Sequence, residues 1–233
     1  MRTPLFLVLT SLSVMPSAIL AQGFEGTVVD LQYQRYDLGA SELDSLEGRL
    51  DAAWAFGVIG AQVGLTIGKE IDSSEDIDFR SYNGLALHAT ADVSNSLRLG
   101  AMLAADSRRD EVYLYAAEAL YMAGPLSVEG RIGDSLEDDE PFSLFEVKGG
   151  YSFGALSARA GLHQTSLGGG ASYGVFSLGA GYAFSDTAEV YADIGRHSTD
   201  NGTTTNRDNV INLGVRFDLG GDSSRMFTYE PLK

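Results

Sequence analysis

The sequence predicts an all-β chain, an antiparallel up-and-down transmembrane β-barrel of about twelve strands. Three observations predict it. After residue 21, apolar and polar residues alternate with a period of two almost throughout, with little sign of a helical period. The connections switch between tight turns and longer polar loops, so short and long links fall at opposite ends of the strands. Charged residues stand in mid-strand, on the face opposite the apolar one.

The first element is not part of the barrel. "MRTPLFLVLTSLSVMPSAILAQ" opens with Arg2, continues with the apolar run Leu5–Val14 and ends in small residues from Ala18 to Ala21. The run is too short to span a bilayer, and the order of charge, apolar run and small residues is that of a secretory signal peptide. Residues 1–21 are read as this signal, 22–219 as the barrel and 220–233 as a patternless, loose C-terminal tail.

The strands are expected near Gly26–Leu38, Leu46–Phe56, Ala61–Gly68, Phe79–Val93, Leu97–Ala105, Glu111–Met122, Leu126–Gly133, Ser143–Phe153, Leu156–His163, Tyr173–Phe184, Ala188–Gly195 and Asn209–Leu219. The tight links are Gly57–Gly60, Ser94–Ser96, Gly124-Pro125, Gly154-Ala155 and Ser185–Thr187. The opposite set includes "KEIDSSEDID", "DSRRDE", "DSLEDDEP", "QTSLGGGAS" and "RHSTDNGTTTNRD". A meander of this kind removes its exposed edges by closing on itself.

Alternation alone does not say which face is outside. One face carries Leu50, Ala52 and Trp54; Leu85, Leu87 and Ala89; Leu97, Leu99, Ala101 and Leu103; and Ile211, Leu213 and Val215. The other carries Arg49, Asp51, Arg80, Arg98, Glu118, Glu129, Arg131, Glu146, Lys148, Arg159, Glu189, Asp193 and Arg216. A soluble barrel would bury all of these charges, at a cost of several kcal/mol for each that lacks a partner. The apolar face therefore points outward, into lipid, and the charged set is predicted to line the lumen.

Aromatic placement agrees. Trp54, Phe56, Tyr121, Tyr151, Phe153, Tyr182, Phe184 and Phe217 lie at strand ends beside the short turns or the tail. Phe79, Tyr113, Phe145 and Phe176 lie nearer the loops. Amphipathic rings favour both lipid–water interfaces, which predicts two girdles. In "GGYSFGALSARAGLH", Tyr151 and Phe153 mark one interface, Gly154-Ala155 turns, and Leu156, Ala158, Ala160 and Leu162 face lipid while Arg159 faces in. A strand of about ten residues, tilted by about 40–45°, spans the roughly 25 Å apolar band.

With these features the chain resembles the Gram-negative outer-membrane porins, and its last strand, "NVINLGVRFDL", looks like a porin closing strand with Phe217 near its end. The resemblance implies a cell outer-membrane location, contact with outer-membrane lipid and lipopolysaccharide, and passive transport of small hydrophilic solutes. Two departures stand beside it. Porins usually have about sixteen strands or more, which this length does not allow. Porins also usually end on an aromatic residue, whereas here a tail runs on to Lys233.

Composition narrows the partners. Net charge is −16, which disfavours nucleic acid. Cysteine is absent, which excludes disulfides, thiol catalysis and thiolate metal sites. No cofactor is implied. The histidines are His88, His163 and His197, and neither "HQTS" nor "DIGRH" has the spacing of a barrel lipase or protease, so no enzyme is expected. The "GGG" at 168–170 is a loop without a following helix. The acidic stretches "DSSED" and "LEDDE" lack calcium-loop spacing and read as solvated surface charge. Monomers and oligomers are both compatible with this pattern. Twelve strands lie between filled eight-stranded and open sixteen-stranded barrels, so the lumen charges fit a polar channel or a salt-bridged, non-conducting structural or surface-interaction barrel. The arginines of the last strand and of the second, fourth and fifth are expected to face an acidic arc across the lumen, with Asp51 and Arg131 each on the wrong side and weakening that division.

Overall fold

The structure is a computed structural model that describes residues 23–37, 42–72, 78–107, 112–136, 141–221 and 223–228. The signal segment and most of "DSSED" and "LEDDE" lie outside the described residues. Twelve strands form: β1 (Phe24–Asp37), β2 (Glu42–Phe56), β3 (Ile59–Asp72), β4 (Asp78–Ser94), β5 (Leu97–Asp106), β6 (Val112–Ala123), β7 (Leu126–Ser135), β8 (Phe142–Phe153), β9 (Leu156–Leu167), β10 (Ser172–Ser185), β11 (Ala188–Asp200) and β12 (Thr205–Gly221). Each pairs antiparallel with its chain neighbours, and β1 closes on β12 from Val28↔Asp218 to Asp37↔Asn209. A closed barrel leaves no unpaired edge.

Several strands outrun their expected ends on the loop side: β2 begins at Glu42, β3 runs to Asp72, β9 to Leu167, β11 to Asp200, and β12 begins at Thr205. These extensions read "ELDS", "KEID", "QTSL", "RHSTD" and "TNRD". Beyond the apolar band both faces meet water, so the alternation fades while the hydrogen-bonded ladder continues. At the other end the links are two residues long, and Gly57, Gly124 and Gly154 take left-handed φ of 73°, 58° and 72°.

The exposure pattern inverts that of a water-soluble protein. Ile194 is 67% exposed and Leu156 57%, whereas Arg131 and Glu146 on the inner face are 2% exposed. The outward girdle at the short-turn end is packed. Phe24 meets Trp54 edge-on at 6.2 Å, and Tyr151 lies 4.6 Å from Phe153.

The inner face is not polar everywhere. On β4 to β8, Ala86, Met102, Ala104, Leu114, Ala116 and Phe142 form a buried apolar cluster inside the barrel, with Val112 packed against it. Here both faces are apolar, and the lumen is filled by side chains.

Candidate functional site

Register places the inner charges opposite one another. Across one rung, Arg49 pairs with Asp30, Asp30 with Arg216, and Arg216 with Glu189. Across another, Glu118 pairs with Arg131, Arg131 with Glu146, and Glu146 with His163. Opposite charges on directly opposed positions attract, and in a low-dielectric interior they also compensate each other's lost hydration.

The second rung is the core of a buried network. Arg131 lies 2.6 Å from Glu118, 3.2 Å from Glu129 and 3.5 Å from Glu146. His88 Nδ1 is 2.7 Å from Glu118, and Lys148 is 2.8 Å from Glu146. The first rung is tied through Arg49, which lies 2.9 Å from Asp51 and 3.5 Å from Asp30. The Tyr191 hydroxyl donates to Asp30 at 2.6 Å, and the Arg159 guanidinium sits 4.0 Å above the Tyr191 ring while reaching Asp193 at 3.4 Å. Asn212 donates to Asp193 and Gln32, and Gln32 donates to Glu47.

These local partners overturn the expected division of the lumen into a basic and an acidic arc. Arg49 is matched by Asp30 and Asp51, Arg98 by Glu25 and Asp92, and Arg216 by Asp218, all on the supposedly basic side. Asp30 and Glu47 are in phase with the inward residues of their strands, whereas Glu25 is out of phase and turns inward at a β-bulge between Phe24 and Gly26. The signal of Asp30 and Glu47 was the period of two on the first two strands, and Glu25 carried none.

The described part of the C-terminal tail after β12, residues 223–228, is not loose. After β12, Ser223–Arg225 make a short turn, and residues 226–228 enter the barrel from the short-turn end. Arg225 bonds Asp92 at 2.6 Å and reaches the carbonyl oxygens of Ser94 and Asn95. Met226 packs on Val28 and Ala53. Phe227 is fully buried and stacks on His88 at 6.0 Å with an interplanar angle of 4°. Sequence reasoning missed the segment because a single extended strip with no hairpin partner shows no alternation.

Among the described residues, a cavity of about 530 Å³ lies open on the side of β7 to β12 and β1. It reaches the short-turn rim at Gly124, Pro125 and Ser152, and its inner end lies near His163 and Gln34. Beyond it toward the loops, Tyr36 meets His197 edge-on at 5.8 Å, and His163 stacks on Tyr173 at 5.6 Å. Of the charges predicted to line a pore, Arg49, Glu129, Glu146, Lys148, Arg159, Glu189, Asp193 and Arg216 border this cavity. Asp51, Arg98, Glu118 and Arg131 do not; they are buried in the pairs described, in the part of the lumen that side chains and the C-terminal segment fill. Arg80 is exposed on β4, toward the loop end, and does not border it. Asp30 joins the set, so five carboxylates and four cations line the cavity among the described residues. No group of metal-ligating side chains forms among the described residues.

Solved structures of similar shape include porins and an outer-membrane channel. The KdgM porin superposes with a TM-score of 0.55 at 12% identity, covering 83% of this chain and 99% of its own. The NanC porin gives 0.59 at 11% identity over 82% and 100%. An outer-membrane channel from Pseudomonas putida F1 gives 0.59 at 15% identity over 88% and 97%. The chain shares the fold of outer-membrane porins. No protein-family model and no curated protein matches the sequence. Against these porin-fold barrels the strand count is not a shortfall, since nearly the whole length of each neighbour is matched.

Proposed function

We propose that this chain is an outer-membrane channel for passive diffusion of small hydrophilic solutes, without enzymatic activity. The observation that carries the reading is the polar cavity inside a closed barrel whose outer face is apolar. Lipid covers the outside and lipopolysaccharide borders the loop end, which in such barrels is the cell surface. The short turns and the C-terminal segment then lie on the periplasmic side. Arg49, Glu129, Glu146, Lys148, Arg159, Glu189, Asp193 and Arg216 are the residues a solute meets.

The solute class follows from charge. One similar structure is a KdgM porin in complex with disordered oligogalacturonate, a polyanion. Here the cavity is lined by five carboxylates against four cations, each cation beside an acid, so no continuous basic track awaits a polyanion. Neutral and weakly cationic solutes are favoured, because fixed negative charge enriches cations at a pore mouth. The test is planar-bilayer recording of the folded, reconstituted chain. Small steps with weak cation selectivity are expected. A correctly folded barrel that carries no current would instead make it a structural protein.

A further inference from the structure

The inner wall of the barrel treats the C-terminal segment as a ligand. The side-chain amide of Gln62 donates to the Phe227 carbonyl at 2.5 Å and accepts from the Phe227 N–H at 2.9 Å, as a neighbouring strand would. The two oxygens of Glu129 accept from the Thr228 N–H at 3.0 Å and the Thr228 hydroxyl at 2.8 Å. Arg131 donates to the Thr228 carbonyl at 2.8 Å, and Arg98 donates to the Arg225 carbonyl at 2.8 Å. The Phe227 ring fits because position 100 is glycine: a Cβ there would stand 2.8 Å from the ring. Buried polar groups of a lumen wall need partners, and here a peptide backbone supplies them.

We propose that the wall of β3 to β7 is a peptide-binding site, held in cis by Ser223–Thr228, and that this segment is a removable plug that sets the width of the channel. The proposal rests on the channel reading above. Three facts support removability. The barrel closes without the segment, because β12 completes its pairing with β1 before Ser223. Apart from Met226 and the Phe227 ring, the segment is held by hydrogen bonds and ion pairs that water can replace. Ser224, Met226 and Thr228 themselves form one side of the open cavity, so withdrawing them widens the passage that already exists.

The experiment compares the full chain with a variant ending at Asp222, both folded into planar bilayers. Conductance follows the open cross-section, so withdrawing the segment that forms one side of the cavity is expected to raise it, on the order of two-fold. A synthetic peptide of residues 222–233, added on the short-turn side only, is expected to return the truncated channel to the lower level. The same peptide carrying Phe227→Ala is expected to need a much higher concentration. Full-length Phe227→Ala and Gly100→Val give a second route, since the first removes the ring and the second fills its niche, each loosening the segment without shortening the chain, and both are expected to conduct more. The cysteine-free chain also allows Val28→Cys with Met226→Cys, bridged by a thiol-specific crosslinker, which is expected to hold conductance low. A truncated barrel that conducts no more than the full chain, or that ignores the peptide, overturns the plug and leaves the channel standing. If neither folded form conducts, the channel reading falls and the plug falls with it.

Discussion

Arg159 and Ala160 are neighbours in the chain on opposite faces of β9, so substituting each tests the assignment of faces. Ala160 pairs with Gly149 and Ala158 with Tyr151, which places Ala160 within the apolar band and Ala158 in the girdle. A cation on the lipid face costs about 2–4 kcal/mol at the midplane and about 0–1 kcal/mol near an interface. Ala160→Arg is therefore expected to lose about 2–4 kcal/mol, and Ala158→Arg about 0–1 kcal/mol. Arg159→Ala removes the 3.4 Å contact with Asp193 and the 4.0 Å stacking on Tyr191. The Arg159 side chain is 34% exposed to the cavity, so water screens the ion pair. The pair is worth about 0–1 kcal/mol and the stacking about 0.5–1 kcal/mol, which gives a loss of about 0.5–2 kcal/mol. Asp193 keeps Asn212 as a donor, which limits the penalty of leaving it behind.

Trp54 is the only tryptophan, and it stands in the short-turn girdle against Phe24. Its emission should shift when the barrel leaves lipid, so urea titration in phospholipid vesicles reads all three variants with one native probe. The expected order of loss is Ala160→Arg first and Arg159→Ala below it, with Ala158→Arg the mildest or close to Arg159→Ala. Were Arg159→Ala costlier than Ala160→Arg, the faces would be inverted. Equal losses at 158 and 160 would refute the depth assignment.

Other outcomes follow from the same geometry. Arg131→Met leaves Glu118, Glu129 and Glu146 without their shared guanidinium and is expected to cost about 3–5 kcal/mol in the same titration, so an unchanged midpoint would refute the network. The folded chain is expected to resist SDS at room temperature and to change gel mobility on boiling, because a closed sheet has no edge from which to unzip; partition into the soluble periplasmic fraction without a heat shift would sink the barrel reading. Removing the acids of "LEDDE" is expected to lower cation selectivity at low ionic strength and to matter less in high salt, where surface charge is screened. Selectivity that stays the same at both salt levels would place its source inside the lumen.

The fold was legible because a barrel wall imposes one rule along its length. Every second residue meets lipid, so the period of two survives wherever both a lipid face and a lumen face exist, and all twelve strands were found by it. Part of the site was legible for the same reason. The turn at Gly124-Pro125 is so short that it fixes Glu118 opposite Arg131. No such rule reaches across the loop side. The pairing of Arg131 with Glu146 depends on a link that includes residues 136–141, whose length does not set register. The closure of Asp30 on Arg216 joins the two ends of the chain and carries no local signal at all.

The lumen looked more polarised in sequence than it is in space for a different reason: the arginines were weighed without the acids nearest them. Asp92 faces Arg98 across a tight turn, Asp218 stands two residues from Arg216 on one strand, and Asp30 faces Arg49 on the adjacent strand. The tail is a separate case. Residues 226–228 belong to no strand, and the backbone groups of Phe227 and Thr228 bond side chains of Gln62, Glu129 and Arg131 that are far away in sequence. Those three inward side chains alternate with lipid-facing Ala61, Val128 and Ile132, so the pattern that marks them as lumen residues says nothing of what they hold. A lumen this wide cannot be filled from its walls alone where glycine stands at position 100, and the chain fills that gap with its own end.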